Sequence, residues 1–439
     1  MLGYFANREA HPKKGRYVLT STPKASPAPL CPIPRNGLQG TAAPILYVCL
    51  LLSSLLVGLG VTFFDPEAEA ITLGIPEILS AAAILVLVIH LWRVTRTAKA
   101  TVPLLIVLGV FLTIYSQSIF PAGILCGMTF TVSEGSLLIA VQPKNKLAAI
   151  PLIPLLAYGV TAILSMDFIS SLAVLLPWPA AWALAIGTRR CAESEDGPNR
   201  VGVICGPSLA LGLTFAALLA VSLYQALGTL EISVLMETVE EIRAELILAI
   251  HSQPLPEGLT PEVAEKWREQ LEYTNVENTI NSIFNILPAI CTTAVFIFVT
   301  ICQTIQHAAL RTFGMEECIT DRVKAFEMSL ISCVVFFIAY LLSMLDTGAF
   351  TSMSGIIAQN VAIILMPGLA LAGLLRLTRS LTKKGARGMG CLFYLIVSSF
   401  CLLFVAPYIL AAVEVIGHIF EAVTVKLKPE DEDDPFGKN

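Results

Sequence analysis

Charged residues are scarce in this chain. They make up 14% of its 439 residues, whereas about a quarter is usual in a soluble domain. The sequence also lacks a phosphate-binding loop and a nucleophile-elbow motif, and no two of its eleven cysteines lie within four positions of each other. These absences exclude a soluble enzyme, a disulfide-linked secreted scaffold and a nucleic-acid-binding domain. We therefore expect no nucleic acid, no metal and no cofactor.

The apolar residues are grouped in long runs that contain few charged residues. Hydrophobic residues make up 55% of the chain, and a membrane helix uses roughly 20 of them, which allows at most about twelve spans. No run alternates as a strand does, so we predict an all-α polytopic transmembrane helical bundle of about 10–12 spans. The eleven runs long enough to cross a bilayer are 42–64, 76–94, 102–119, 121–142, 147–165, 168–187, 201–228, 280–304, 326–346, 353–375 and 388–412.

Basic residues recur in alternate loops. The tail over 1–41 carries six lysines and arginines against a single acidic residue, Glu9. Because cytoplasmic loops collect Lys and Arg, we predict a multi-pass protein of the bacterial cytoplasmic membrane with its N-terminus in the cytoplasm. Eleven spans then place the C-terminus outside. If Pro407 splits the run 388–412 into two crossings, the C-terminus returns inside.

An acidic interval separates the two halves of the chain. Residues 229–279 hold 11 glutamates against three basic residues. Apolar residues recur there at helical spacing from Ile232 to Ile250, and Thr260 before Pro261 is typical of a second helix start. We predict an extracytoplasmic amphipathic helical hairpin. It is either a cap or a docking surface for a protein partner, or a solvated hairpin packed on the rim of the bundle.

These patterns divide the chain into six parts. The parts are a disordered basic cytoplasmic tail (1–41), two N-terminal spans (42–100), the first half of the membrane bundle (101–228), the acidic hairpin (229–279), the second half of the bundle (280–425) and an acidic disordered tail (426–439).

Three polar residues inside the apolar runs are candidate substrate-binding residues. Glu134 lies about two-thirds along its run, and an ionisable side chain at that depth is expensive. It can bind a cationic substrate group, carry a proton, or cap the end of a re-entrant helix at Gly135. Gln359 and Asn360 can bind a buried ligand through hydrogen bonds, or they can join neighbouring helices.

Two pairs of glycines have the spacing of helix-packing sites. Gly123 with Gly127, and Gly202 with Gly206, are four residues apart within apolar runs. Missing side chains at this spacing let two membrane helices approach closely. We predict a packing role for all four glycines.

The second half of the chain resembles the YybS-like family of predicted bacterial multi-pass membrane proteins. The resemblance rests on four segments between Ile280 and Phe420: NILPAI (Asn285–Ile290), LRTFGM (Leu310–Met315), FEMSLISCVVFFIAYLLS (Phe326–Ser343) and NVAIILMPGLALAGLLRLTRS (Asn360–Ser380). The chain departs from the pattern in its first 100 residues and at Met366–Pro367. The family has no known function. Its architecture has been likened to the substrate-binding subunits of vitamin transporters, an analogy of fold alone.

Two functional hypotheses fit these observations. Many spans, interior polar residues and proline-broken helices favour a permease, or a substrate-binding membrane subunit, for a small molecule. The alternative is a non-transporting scaffold or regulator that acts through the acidic hairpin or the basic tail. No paired nucleophile and base occur within the apolar runs, so we expect no enzyme activity.

Overall fold

The computed structural model describes eleven stretches of the chain. They cover residues 42–64, 74–95, 118–142, 147, 149–193, 200–252, 261–270, 273–312, 328–345, 353–383 and 411–419.

Every regular element within these stretches is a helix, so the fold is an all-α bundle. In chain order the elements are α1 (Ala42–Thr62), α2 (Ile75–Thr95), α3 (Phe120–Phe130), a π-helical turn (Thr131–Gly135), α4 (Ser136–Val141), α5 (Leu152–Ser165), a 3₁₀ helix (Ser170–Leu175), α6 (Trp178–Glu193), α7 (Arg200–Leu227), α8 (Ile232–His251), α9 (Pro261–Gln270), α10 (Tyr273–Thr312), α11 (Leu330–Leu345), α12 (Met353–Lys383) and α13 (411–419).

Seven helical segments in the described stretches are long and apolar enough to cross a membrane. They are Ala43–Thr62, Glu77–Val94, Phe120–Val141, Ser170–Cys191, Arg200–Leu227, Asn275–Thr312 and Ser354–Gly373. Each coincides with a predicted run. The predicted runs 147–165 and 326–346 form shorter apolar helices, Leu152–Ser165 and Leu330–Met344. Of the remaining two runs, 102–119 and 388–412, residues 102–117 and 388–410 lie outside the described residues. The described residues thus contain seven candidate spans, and the number of about 10–12 stays a prediction.

The acidic interval contains the two predicted helices, α8 and α9, but it does not end at residue 279. Pro261 is the first residue of α9, as its position predicts, and Thr260 lies outside the described residues. α10 runs on through 279 and 280 for 40 residues, about 60 Å at the helical rise. Ile247 of α8 packs against Val276 and Ile280 of α10. The hairpin therefore packs on an extension of a membrane helix.

One end of the bundle collects basic residues, and we call it the basic end. Arg189 lies near the end of α6, Arg200 begins α7 and Arg311 lies at the end of α10. Cys191 of α6 and Cys333 of α11 share a buried cluster with Val415 of α13. The alternation of sides predicted from the loop charges stays a prediction.

The C-terminal helix bears on the side at which the chain ends. Arg376 of α12 donates through Nε to Oε2 of Glu414 at 2.8 Å, so α13 packs beside the C-terminal part of α12. This contact favours the alternative in which Pro407 splits the run 388–412 and the C-terminus returns inside. Residues 388–410 lie outside the described residues, so the number of crossings stays a prediction.

The glycine pairs differ in their surroundings. A Cβ on Gly127 would overlap the backbone carbonyl oxygen of Ser53 in α1, and one on Gly123 would lie 3.5 Å from Leu56 Cδ2. α1 and α3 therefore approach closely along this face. A Cβ on Gly206 would meet no described atom within 4 Å. Close packing is thus not observed at Gly206 among the described residues.

Candidate functional site: a buried carboxyl in a π-helical turn

Glu134 lies in the π-helical turn that joins α3 to α4. The turn continues the helix on both sides, and Gly135 and Ser136 have right-handed helical backbone angles. No helix end therefore occurs at Gly135, which removes the re-entrant cap as a role for Glu134. Single π-helical turns inside helices are frequent at functional sites. Seven residues separate Glu134 from Val141, which puts it about 10 Å from that end of its span.

The carboxyl group is completely buried. Glu134 has 0% of its surface exposed, and within the described stretches of the chain neither Oε1 nor Oε2 has a hydrogen-bond partner. The Glu134 carboxyl is near enough to Cys49 of α1 for an electrostatic interaction. The turn packs against α1, α6 and α10.

The hydroxyl groups nearest in sequence donate elsewhere. Ser133 Oγ donates to the Thr129 carbonyl oxygen and Ser136 Oγ to the Ser133 carbonyl oxygen, each at 2.7 Å. On the α1 side, Ser53 Oγ lies 2.9 Å from Thr131 Oγ1. These bonds satisfy the hydroxyls locally and leave the carboxyl of Glu134 without a donor among the described residues.

This environment opposes a free negative charge. Taking an ionised carboxylate out of water costs several kcal/mol even after relaxation, unless donors or a cation compensate it. The described part of the site supplies neither a donor nor a cation to Glu134. The carboxyl group is then uncharged in total either as a protonated acid or as a carboxylate paired with a bound cation. The arrangement can therefore hold a proton or a cationic group.

Asn360 forms hydrogen bonds to two helices. Its Nδ2 donates to the carbonyl oxygens of Asn285 and Ile356, both at 2.8 Å, and its Oδ1 accepts from the backbone N–H of Ala289 at 3.1 Å. Both amide hydrogens are thus engaged within the protein. Of the two predicted alternatives, the geometry favours a joint between α12 and α10.

The three predicted substrate-binding residues share no hydrogen bond among the described residues. Asn360 bonds to α10 at Asn285 and Ala289, whereas neither carboxyl oxygen of Glu134 has a partner there. Gln359, next to Asn360, has a buried Oε1 with no hydrogen-bond partner among the described residues.

A second polar network, at the basic end, was missed from the sequence. Arg200 donates from Nε to Gln303 Oε1 at 2.8 Å and from Nη2 to Thr304 Oγ1 at 2.9 Å. Thr188 Oγ1 donates to Gln306 Oε1 at 3.2 Å. Both glutamines have 0% of their surface exposed. Gln303, Gln306 and His307 follow i, i+3, i+4 spacing within an apolar run, and this spacing could have indicated a common polar face.

Arg189 fixes the end of the helix that carries Glu134. Its guanidinium donates to the carbonyl oxygens of Ile139, Ala140 and Gln142 at 2.7–2.9 Å. These are carbonyls of the last turn of α4, which lack partners within the helix. A cation is also favourable at a helix C-terminus. Arg189 therefore holds α4 against α6.

One family model matches the chain. Its description is "Predicted membrane protein (DUF2232)" and the match covers residues 155–419, more than half of the sequence. No curated protein and no solved structure matches the chain. The match begins within α5 and ends with α13, so the turn of Glu134 precedes it. The description contains neither the YybS-like name nor a transport activity, and both stay predictions. The chain belongs to the DUF2232 family of predicted membrane proteins.

Proposed function

We propose that this multi-pass membrane protein is a permease, or the substrate-binding membrane subunit of one, and that Glu134 binds a proton or the cationic group of a small molecule. The observation that carries the proposal is a completely buried carboxyl group whose two oxygens have no partner among the described residues. A group of this kind inside a membrane bundle marks an ion or substrate pathway by default.

The local backbone supports a binding role over a structural one. A structural glutamate inside a bundle forms an ion pair or accepts hydrogen bonds, as Glu414 does from Arg376. Glu134 instead lies in a π-helical turn, which shifts the hydrogen-bonding register by one residue at that point. The neighbouring hydroxyls of Ser133 and Ser136 bond to backbone carbonyls. The side chain is therefore the group in this turn that is left to interact with a ligand.

Infrared spectroscopy of the purified protein tests the protonated form. We expect a carbonyl stretching band of a buried carboxylic acid at neutral pH, lost in Glu134→Gln. It should persist in Glu240→Gln, the matched control, because Glu240 is exposed and pairs with Arg243 at 3.0 Å.

Native mass spectrometry from mild detergent tests the cation-bound form. We expect a bound cationic small molecule in the wild type and in Glu240→Gln, and none in Glu134→Gln. If the wild type shows neither the infrared band nor a bound cation, Glu134 is not a binding carboxyl and the proposal fails.

A scaffold is the second candidate, and the exposed face of α8 favours it. Ile242 and Leu246, two members of the predicted apolar stripe, have 47% and 43% of their surface exposed, while Ile247 faces α10 with 5% exposed. Apolar side chains beside many glutamates suit a cationic amphipathic partner. A protein that co-purifies with the wild type and is lost from Ile242→Ser/Leu246→Ser, with Glu134→Gln retaining it, would favour the scaffold.

A further inference from the structure

An apolar cavity lies between α7, α10, α11 and α12, and no residue of the π-helical turn that holds Glu134 lines it. It has a volume of about 570 Å³ and is lined by residues of α7, α10, α12 and by residues of and just before α11. This volume is in the range of small-molecule and cofactor sites, roughly 300–1,000 Å³. The larger lining side chains are Leu209, Phe215, Phe296, Met328, Ile364 and Leu365. None of the described residues that line it is acidic or basic, which suits a hydrocarbon occupant.

The cavity runs along the membrane-spanning part of α7. Its lining on that helix extends from Val201 to Phe215, which corresponds to about 21 Å at the helical rise. Half of a bilayer's hydrocarbon core is about 15 Å thick. Leu209 and Phe215 have 65% and 55% of their surface exposed. The cavity therefore has the length and the depth of an acyl chain in one leaflet.

A cation lies at the basic end of this cavity. Arg200 immediately precedes Val201, the first lining residue on α7. Its guanidinium bonds to two neutral groups, Gln303 and Thr304. No carboxylate of the described residues forms an ion pair with it. Arg200 also begins α7, where free backbone N–H groups favour an anion. A phosphate group complements this end of the cavity.

The geometry points to a binding site for an anionic phospholipid of the leaflet at the basic end, with one acyl chain in this cavity and its phosphate at Arg200. The apolar run 388–412 of the same chain is a less suitable occupant. It contains no acidic residue, so it cannot neutralise the positive charge of Arg200. The phospholipid supplies both the hydrocarbon and the negative charge.

Native mass spectrometry of the full chain, delipidated and then given phosphatidylglycerol or phosphatidylcholine with identical acyl chains, tests the site. We expect the wild type to retain phosphatidylglycerol preferentially. Arg200→Gln should lose about fivefold in this preference, and Arg200→Lys should keep it. Photoactivatable phosphatidylglycerol should cross-link within 201–215 and 291–296.

Filling the cavity tests the acyl-chain part separately. At Gly212, a lining residue, a Cβ would meet no described atom within 4 Å, so Gly212→Leu places its side chain in the cavity. We expect it to lose both lipids. Ala217→Leu is the matched control because Ala217 is exposed on α7 and does not line the cavity. It should retain both.

Three results would overturn the proposal. The first is equal retention of the two lipids by the wild type. The second is that Gly212→Leu retains both lipids as the wild type does but is less stable than the wild type in lipid-free detergent. That result would assign the cavity to the chain's own run 388–412. The third is loss of the phosphatidylglycerol preference in Glu195→Gln/Asp196→Asn. These acidic residues precede Arg200, and an anionic headgroup gains from their neutralisation.

Discussion

Replacing Gly127 by alanine should force α1 and α3 apart. The added Cβ would overlap the backbone carbonyl oxygen of Ser53 and lie 2.9 Å from Val57 Cγ2. A backbone atom cannot move aside as a flexible side chain does, so the two helices themselves must shift. Overpacking of this kind costs about 1–3 kcal/mol.

A second glycine separates this cost from helix propensity. Alanine stabilises a helix by up to about 1 kcal/mol relative to glycine, which offsets part of the overpacking cost in Gly127→Ala. Gly159 of α5 has no atom within 4 Å of an added Cβ among the described residues. Gly159→Ala gains the same propensity without the overlap. The difference between the two variants is therefore the overpacking cost alone, about 1–3 kcal/mol.

Unfolding in mixed detergent and dodecyl sulfate micelles, followed by tryptophan fluorescence, measures this difference. We expect the order Gly159→Ala, wild type, Gly127→Ala, from most to least stable. Val57→Ala removes one of the overlapping atoms. It should therefore lower the free energy of unfolding by less in the Gly127→Ala variant than in the wild type. Equal stability of Gly127→Ala and Gly159→Ala would refute the close approach of α1 to α3.

Three further outcomes are expected. Asp167 Oδ1 accepts the backbone N–H groups of Ile169 and Ser170 at 3.0 and 3.1 Å, so Asp167→Ala should cost about 1 kcal/mol in the same unfolding assay. Hydrogen bonds from the Ser170 hydroxyl and then from backbone N–H groups hold the pKa of Asp167 below its usual value. Because the pKa of Asp167 is lowered on folding, its stabilisation is fully present above the unfolded-state pKa of about 4 and is lost as pH falls through the lower folded-state pKa. The stability difference between wild type and Asp167→Ala should therefore shrink as pH falls below about 4; a difference that stays constant down to the lowest pH at which both proteins fold would contradict this. Arg376→Gln leaves the carboxylate of Glu414, 3% exposed, with His418 alone, whose Nε2 lies 3.2 Å from Oε1, and should cost about 2–4 kcal/mol. Arg376→Met/Glu414→Leu should recover most of the loss; no recovery would show that the pair is not the cause. Topology reporters inserted after Lys383 and after Phe420 should report the same side of the membrane, and opposite sides would refute the position of α13.

The positions of the membrane helices follow directly from the sequence, because lipid imposes a length and an apolar composition on every span. The position of α13 did not follow. Counting runs left one or two crossings of 388–412 open, and the contact of Glu414 with Arg376 across 38 positions shows that α13 packs beside the end of α12. A charge count along the chain contains no information about such a long-range pair.

The candidate site was predicted in part. The depth of Glu134 in its run identified a costly carboxyl, since hydrophobicity alone sets that cost. The π-helical turn could not be predicted, because it depends on how the helix packs against three neighbours. The same holds for Asn360. The sequence shows a polar residue within an apolar run, but it does not show that its amide would bond to α10. The cavity between α7, α10, α11 and α12 is a property of four segments that are distant in sequence.

The bridge at Asn360 limits how the bundle can move. In a regular helix the N–H of Ala289 donates to the carbonyl oxygen of Asn285, four residues earlier. Here the Asn360 amide binds both groups, with Nδ2 donating to the Asn285 carbonyl and Oδ1 accepting from the Ala289 N–H, next to Pro288. If α12 slid past α10 by one turn, both hydrogen bonds of the Asn360 amide to α10 would break inside the membrane. The bridge therefore opposes shear between these two helices. If Glu134 binds a ligand as proposed, we expect a rearrangement that exposes it to move α10 and α12 together as one unit, with the motion occurring at their contacts with the rest of the bundle.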